Sequence, residues 1–270
     1  MRRILLPLAL IGGLHVRAAG DNLPIGARHG GMGYSTITLS DLWSVYYNQA
    51  GLAGLMRPAV GIYYQQHWLA PELGMEGFAA AVPLGRGTIA ATASRYGFDL
   101  YSETKAGLAY AMRFGEGLRV GIQMDYTGVR FGEGYGSTGI VTAEIGVQAK
   151  LTDHLWIGAH LYNPGQARIG GPYDEKSPTI LRAGLGYTFS EKLLITAEAA
   201  KDIDRKESFR AGLEYHPNKV LFLRTGVSTG DVRGHAGLGV RLKQFDVNMA
   251  VAFRSQLGPT PMIDLTYNFK

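Results

Sequence analysis

The chain has 270 residues, of which 46% are hydrophobic, with 38 Gly, 15 Tyr, no Cys and a formal charge of +5. The lack of Cys excludes a disulfide framework and a lipidated N-terminal cysteine. Past the first twenty residues there is no apolar run of about 18, which argues against a helical membrane protein.

Residues 1–18 read as a secretory signal: Met1-Arg2-Arg3, the apolar run Ile4 to Leu14, then Val16-Arg17-Ala18 with small or apolar residues where a signal peptidase cuts. Its removal takes away three Arg and no acid, so the formal charge falls from +5 to +2 and the basic balance is no argument for nucleic acid. About 250 residues remain, enough for one large domain.

Residues 19–57 do not alternate. Gly26-Ala27-Arg28-His29-Gly30-Gly31-Met32-Gly33-Tyr34 is too glycine-rich for a regular element, and Ser40-Asp41 is placed to cap a short helix through Leu42, Trp43, Val45 and Tyr46, ended by Asn48-Gln49-Ala50-Gly51. A segment with a Trp and two Tyr carries too much apolar surface to hang in water. It is expected to plug the interior of the domain built by residues 58–270, with Arg28, Trp43, Tyr46, Tyr47, Asn48 and Gln49 as its functional residues.

Along most of residues 58–270, and most clearly from Thr104 onward, the period is two, with weaker alternation over 75–97. Phe245, Val247, Met249, Val251 and Phe253 form one face against Asp246, Asn248, Ala250, Ala252 and Arg254, and the C-terminal run ends likewise on Ile263, Leu265, Tyr267 and Phe269. About fourteen such runs are expected, at 58–67, 75–84, 87–97, 102–114, 117–130, 138–151, 154–162, 178–189, 191–201, 206–216, 218–227, 231–242, 243–254 and 260–269; misreading 75–97 would leave twelve. Most hold roughly ten residues, the length that crosses about 25 Å of hydrocarbon at a tilt near 40°. Short turns largely alternate with longer connections, as in a bacterial outer-membrane barrel.

The fold class is therefore all-β, a transmembrane antiparallel β-barrel of about 14 strands with an N-terminal luminal plug, in a Gram-negative outer membrane. The apolar face is expected outward, because Lys105, Arg182, Arg210, Arg224, Arg233, Arg241 and Arg254 share the other parity and each would cost about 2–4 kcal/mol in mid-bilayer. Aromatics near strand ends suit an interfacial girdle. Inside, Arg182, Glu198, Arg210, Glu214 and Arg224 alternate in sign from strand to strand. With Arg241 they read as a ladder of ion pairs filling the lumen, or alternatively as an ion-lined path.

Gly26-Ala27-Arg28-x-x-Gly31-Met32-Gly33, with Leu39-Ser40-Asp41 and Tyr47-Asn48-Gln49-Ala50-Gly51-Leu52-Ala53 after it, resembles the N-terminal signature of the FadL-like superfamily, and most closely its PorV/PorQ branch. The resemblance implies a plugged fourteen-stranded barrel. It also implies a non-enzymatic platform or shuttle for protein secretion of type IX kind, with secretion-system or surface proteins as partners besides outer-membrane lipid. This chain has Gln49 where the branch has Pro, and its longest external loop, Asn163 to Ser177, is polar, unlike a fatty-acid carrier's capture groove. The alternative is a FadL-like passive channel for small or hydrophobic solutes, opened by a plug shift or by a gap in the wall near Pro83.

No cofactor, metal or catalytic group is expected. His160 with Tyr162 and Asn163, or His235 with Arg233, lacks a nucleophile at a recognisable spacing, and His154, His160 and His216 lack metal-site spacing.

Overall fold

The computed structural model describes residues 22, 24–132, 136–169, 175–230, 233–254 and 257–270; the signal sequence lies outside them. Among these residues there are sixteen strands: β1 (Ala59–Gln66), β2 (Gly74–Leu84), β3 (Gly87–Phe98), β4 (Tyr101–Phe114), β5 (Leu118–Phe131), β6 (Ser137–Lys150), β7 (Leu155–Tyr162), β8 (Arg168–Ile169), β9 (Glu175–Lys176), β10 (Ile180–Ser190), β11 (Leu193–Asp202), β12 (Ser208–Tyr215), β13 (Leu221–Ser228), β14 (Arg233–Leu242), β15 (Phe245–Arg254) and β16 (Gly258–Asn268). Fourteen of them close into an antiparallel barrel, with β1 paired to both β2 and β16. The remaining two, β8 and β9, pair only with each other inside the loop between β7 and β10.

Closure removes the free strand edges that an open sheet would leave unbonded in lipid. The weakly alternating region 75–97 holds two complete strands, so the fourteen-strand reading stands over the twelve-strand one. Each expected strand boundary lies within three residues of the observed one.

The period of two has the expected hand. Leu108 is 69% exposed, Met124 64% and Val227 59%, while Gln123, Asp125 and Gly226 beside them in the chain point inward. A continuous apolar exterior of this kind belongs in hydrocarbon, not water. Aromatics edge it: Phe114, Phe189, Phe245 and Phe269 at the end bearing the chain's N-terminal side, and Tyr64, Tyr126 and Phe253 toward the other. Phe245, Tyr267 and Phe269 touch one another in that belt, with ring centroids 5.0 and 4.8 Å apart.

Tight turns at Gly85 and Gly115, each with φ of +65°, sit at the N-terminal, periplasmic end, where only glycine takes that conformation without strain. The longer loops, including His67–Leu69 and the β7–β10 connection, stand at the opposite, external end.

His67 in the first external loop lies between the rings of Trp68 and Tyr96. Burial, helped by Arg233, brings its pKa down to about 4. The folded loop therefore refuses a proton that the unfolded chain accepts below about 6.5, so its stability is full above that value and falls as pH drops toward 4. Amide protection factors of residues 66–70, exchange rates corrected for their intrinsic pH dependence, are expected to fall across that window in the wild type and to stay constant there in His67→Phe.

Candidate functional site

Residues 24–54 lie inside the barrel. They begin with the short helix α1 (Ala27–Gly31), where the glycine content alone predicts irregular backbone. Two 3-10 turns come next, Leu42–Tyr46 and Gln49–Gly54. Asp41 caps the first through Ser44 N, and the Ser44 hydroxyl lies within reach of Asp41 N in return. Asn48, expected to end a single helix, instead caps the second turn through Ala50 N at 3.2 Å.

Glycines on the inner wall make room for this segment. Gly184 faces Gly158, Gly212 faces Gly226 and Gly121 faces Gly146 across neighbouring strands. A Cβ on Gly212 would come within 2.5 Å of Met32 O, one on Gly184 within 2.9 Å of Ile37 Cγ2, and one on Gly146 would collide with Asn48 Oδ1. The polar parity of the strands thus alternates long charged side chains with a glycine track on which the segment's backbone rests.

The charged side chains tie it down. The Arg28 guanidinium donates to Glu214 at 2.8 and 2.5 Å and to Asp41 Oδ2 at 2.9 Å. Glu214 also accepts from Arg224 Nε at 2.5 Å, Arg224 Nη1 donates to Asn248 at 2.8 Å, and Asn248 Nδ2 donates to Asp264 at 2.7 Å. Asp264 in turn accepts the backbone N–H of Ala27 at 2.7 Å, which closes the ring on the residue beside Arg28. Burial disfavours the charged form of Asp41, but His29 and Arg28 outweigh it and hold its carboxyl far below the usual carboxylate range. His29 bridges Thr36 at 2.7 Å and Asp41 at 3.0 Å, and stacks on Tyr47 at 4.2 Å.

Of the expected ion-pair ladder, Glu198–Arg210 (3.3 Å) and Glu214–Arg224 form between directly opposed residues. Glu198 spends its other oxygen on the backbone N–H of Thr36 and Ile37, at 3.0 and 3.1 Å. Arg241 pairs with Asp246 at 2.7 Å near the periplasmic mouth. Arg182 does not join the ladder. Its cross-strand neighbours are Ala200 and His160, and its guanidinium lies over the Tyr47 ring at 5.9 Å.

A second cluster has no counterpart in the sequence reading. Buried Glu144 binds Lys105 Nζ (3.0 Å), His160 Nε2 (2.8 Å) and Gln49 Nε2 (2.7 Å), and Lys105 reaches Asp125 at 3.1 Å. His160 is thus a luminal hydrogen-bond partner of a carboxylate. Among the described residues no group of three or more His, Cys, Asp or Glu is placed to hold a metal.

The segment's other side is apolar. Trp43, Tyr46, Ile25 and Leu42 pack toward Tyr63, Met75, Ala79, Ala81, Ala90, Ala109 and Met262 of β1–β4 and β16. Trp43 lies 6.0 Å from Tyr63 and 6.3 Å from Tyr46, and its indole N–H donates to Thr266 at 3.0 Å. It also lines a cavity of about 260 Å³ at the periplasmic side, together with Leu42, Leu55, Phe222, Arg28 and Asp246.

A closed fourteen-stranded antiparallel barrel with an outward apolar band defines a class, the transmembrane β-barrels of the Gram-negative outer membrane. No family model and no curated protein matches the sequence. Among solved structures, the chain is similar to the Ralstonia pickettii toluene transporter TbuX, with a TM-score of 0.71 and 12% identity over 91% of this chain and 98% of that one. It is similar to the Pseudomonas putida toluene transporter TodX at a TM-score of 0.69 and 12% identity, covering 90% and 98%. Its similarity to a Pseudomonas aeruginosa FadL homologue has a TM-score of 0.64 at 12% identity, covering 93% and 100%.

Proposed function

We propose that the chain is a FadL-like passive channel, not an enzyme, and that it admits small apolar solutes across the outer membrane past its N-terminal plug. The observation that carries this reading is the position of Trp43. On one side it meets Tyr63 and Tyr46 in the apolar half of the lumen, and on the other it lines the periplasmic cavity. A solute descending the Met262, Met75 and Tyr63 side reaches the cavity once that indole swings aside. The charged half, held by Glu144, Glu198 and Glu214, has no such apolar continuity and serves as anchorage.

The plug-shift route is favoured over a gap in the wall. Pro83 faces Thr88 next to the periplasmic turn, and the ladder continues on both sides of it through Val82–Ile89 and Leu84–Gly87. The one register shift among the described barrel pairs falls between Thr188 and Ser190, at the periplasmic end of β10. The toluene transporters that share the fold support the channel alternative. The PorV/PorQ secretion-platform reading rests on the N-terminal signature alone.

The test is uptake of radiolabelled toluene at micromolar concentration by Gram-negative cells lacking other hydrocarbon channels. Expression of the chain is expected to raise the initial rate, and Trp43→Ala to raise it further, by several-fold. A rate equal to that of cells without the protein overturns the reading.

A further inference from the structure

The outer wall of β3–β6 changes character at one height. On β5 the outward residues Leu118, Val120, Ile122, Met124 and Tyr126 give way to Gly128 and Arg130. The row Ala93, Ala106, Tyr126, Val141 is apolar apart from one hydroxyl, and the next row outward, Arg95, Thr104, Gly128, Gly139, is polar or small. Above it, Ser102, Arg130 and Ser137 continue in register. These rows enclose a groove of about 590 Å³ on the outside of the barrel, lined by both arginines and by Tyr126. Gly139 shapes it: a Cβ there would meet the Tyr126 ring at 2.8 Å, so the phenol lies flat along β6 with its hydroxyl directed toward the polar rows.

Arg95 and Arg130 are exposed and make no ion pair with any described residue, although Glu76 faces Arg95 across the β2–β3 ladder. An arginine on a lipid-facing wall is best tolerated at the level of the headgroups, and Arg95 stands in the first row above the last apolar one on the external side, with Arg130 in the second. A guanidinium offers paired donors that match a phosphate. Two of them flanking a phenol and a shelf of Gly, Ser and Thr present donors and hydroxyls to an anionic, sugar-like group.

We propose that this groove binds the phosphorylated headgroup of an outer-leaflet glycolipid, with Arg95 and Arg130 on its phosphates and the apolar wall below them against its acyl chains. The site is independent of the lumen and of what passes through it.

The test uses the full chain in non-ionic detergent, titrated with bisphosphorylated lipid A and monitored by native mass spectrometry. The wild type is expected to retain the lipid, and Arg95→Gln/Arg130→Gln to bind it at least about tenfold more weakly, a loss of two charge-assisted contacts. Arg86→Gln, at the periplasmic end, is expected to bind as the wild type does. Heat-modified gel migration reports that each variant barrel is folded. Equal binding of phosphate-free lipid A, displacement by equimolar inorganic phosphate, or unchanged affinity in the folded double variant overturns the proposal.

Discussion

Glu214→Ala is expected to release the N-terminal segment while the barrel stays closed. Its carboxylate is fully buried and receives Arg28, Arg224 and His216, the last at 2.9 Å. Removing it strands the Arg224 guanidinium, whose side chain is 3% exposed, and leaves Arg28 with Asp41 alone. Breaking a buried ion pair from one side costs about 3–5 kcal/mol, and that cost falls on the segment, because β12 and β13 remain paired through their backbones. Limited trypsin digestion reads the result: the wild type is expected to be protected after Arg28, and Glu214→Ala to be cut there with the rest of the chain intact. Glu214→Gln, which keeps an acceptor, is expected to fall between them. Equal protection in all three would mean that the glycine track, not the ion ring, holds the segment.

Gly121→Val is expected to open the opposite side of the lumen. A Cβ at Gly121 would lie 2.5 Å from Ala50 N and 2.8 Å from Gln49 Cβ, so the obstacle is backbone that cannot rotate away. Overpacking of this kind typically costs about 1–3 kcal/mol, and here the relief is to lift the Gln49–Gly54 turn off β4–β6, breaking the Gln49–Glu144 bond. Liposomes carrying the variant are expected to swell in a small sugar, while those with the wild type do not. Gly234→Val, at a glycine with open space around its added carbon, is the control and is expected to behave as wild type.

The barrel was legible because lipid outside and water or protein inside impose a period of two that needs no long-range information. The lumen was legible only in part. The glycines beside charge on β10 and β14 signalled contents, and the opposed signs of Glu198 and Arg210, or Glu214 and Arg224, became true pairs because their registers coincide. Arg182 failed that test: pairing depends on which residue stands opposite, and a turn of uncertain length shifts that by one or two. Glu144 with Lys105 and His160 was missed for a related reason, since three strands contribute one residue each and no local spacing marks them. A helix over Ala27–Gly31 in glycine-rich sequence likewise depends on Asp264 taking the Ala27 N–H, a partner 237 positions away. The inward acids Asp125 on β5 and Glu144 on β6 were the available signal for the second cluster.

Ion conductance of the intact protein in planar bilayers tests the central claim most directly, that the N-terminal segment keeps the lumen shut to water and ions while an apolar solute passes along one side. The wild type is expected to insert without resolved conductance steps, and Gly121→Val to give steps in the same bilayers. Steady porin-like conductance of the wild type would contradict the account, because the charged half would then be a pathway and not an anchorage.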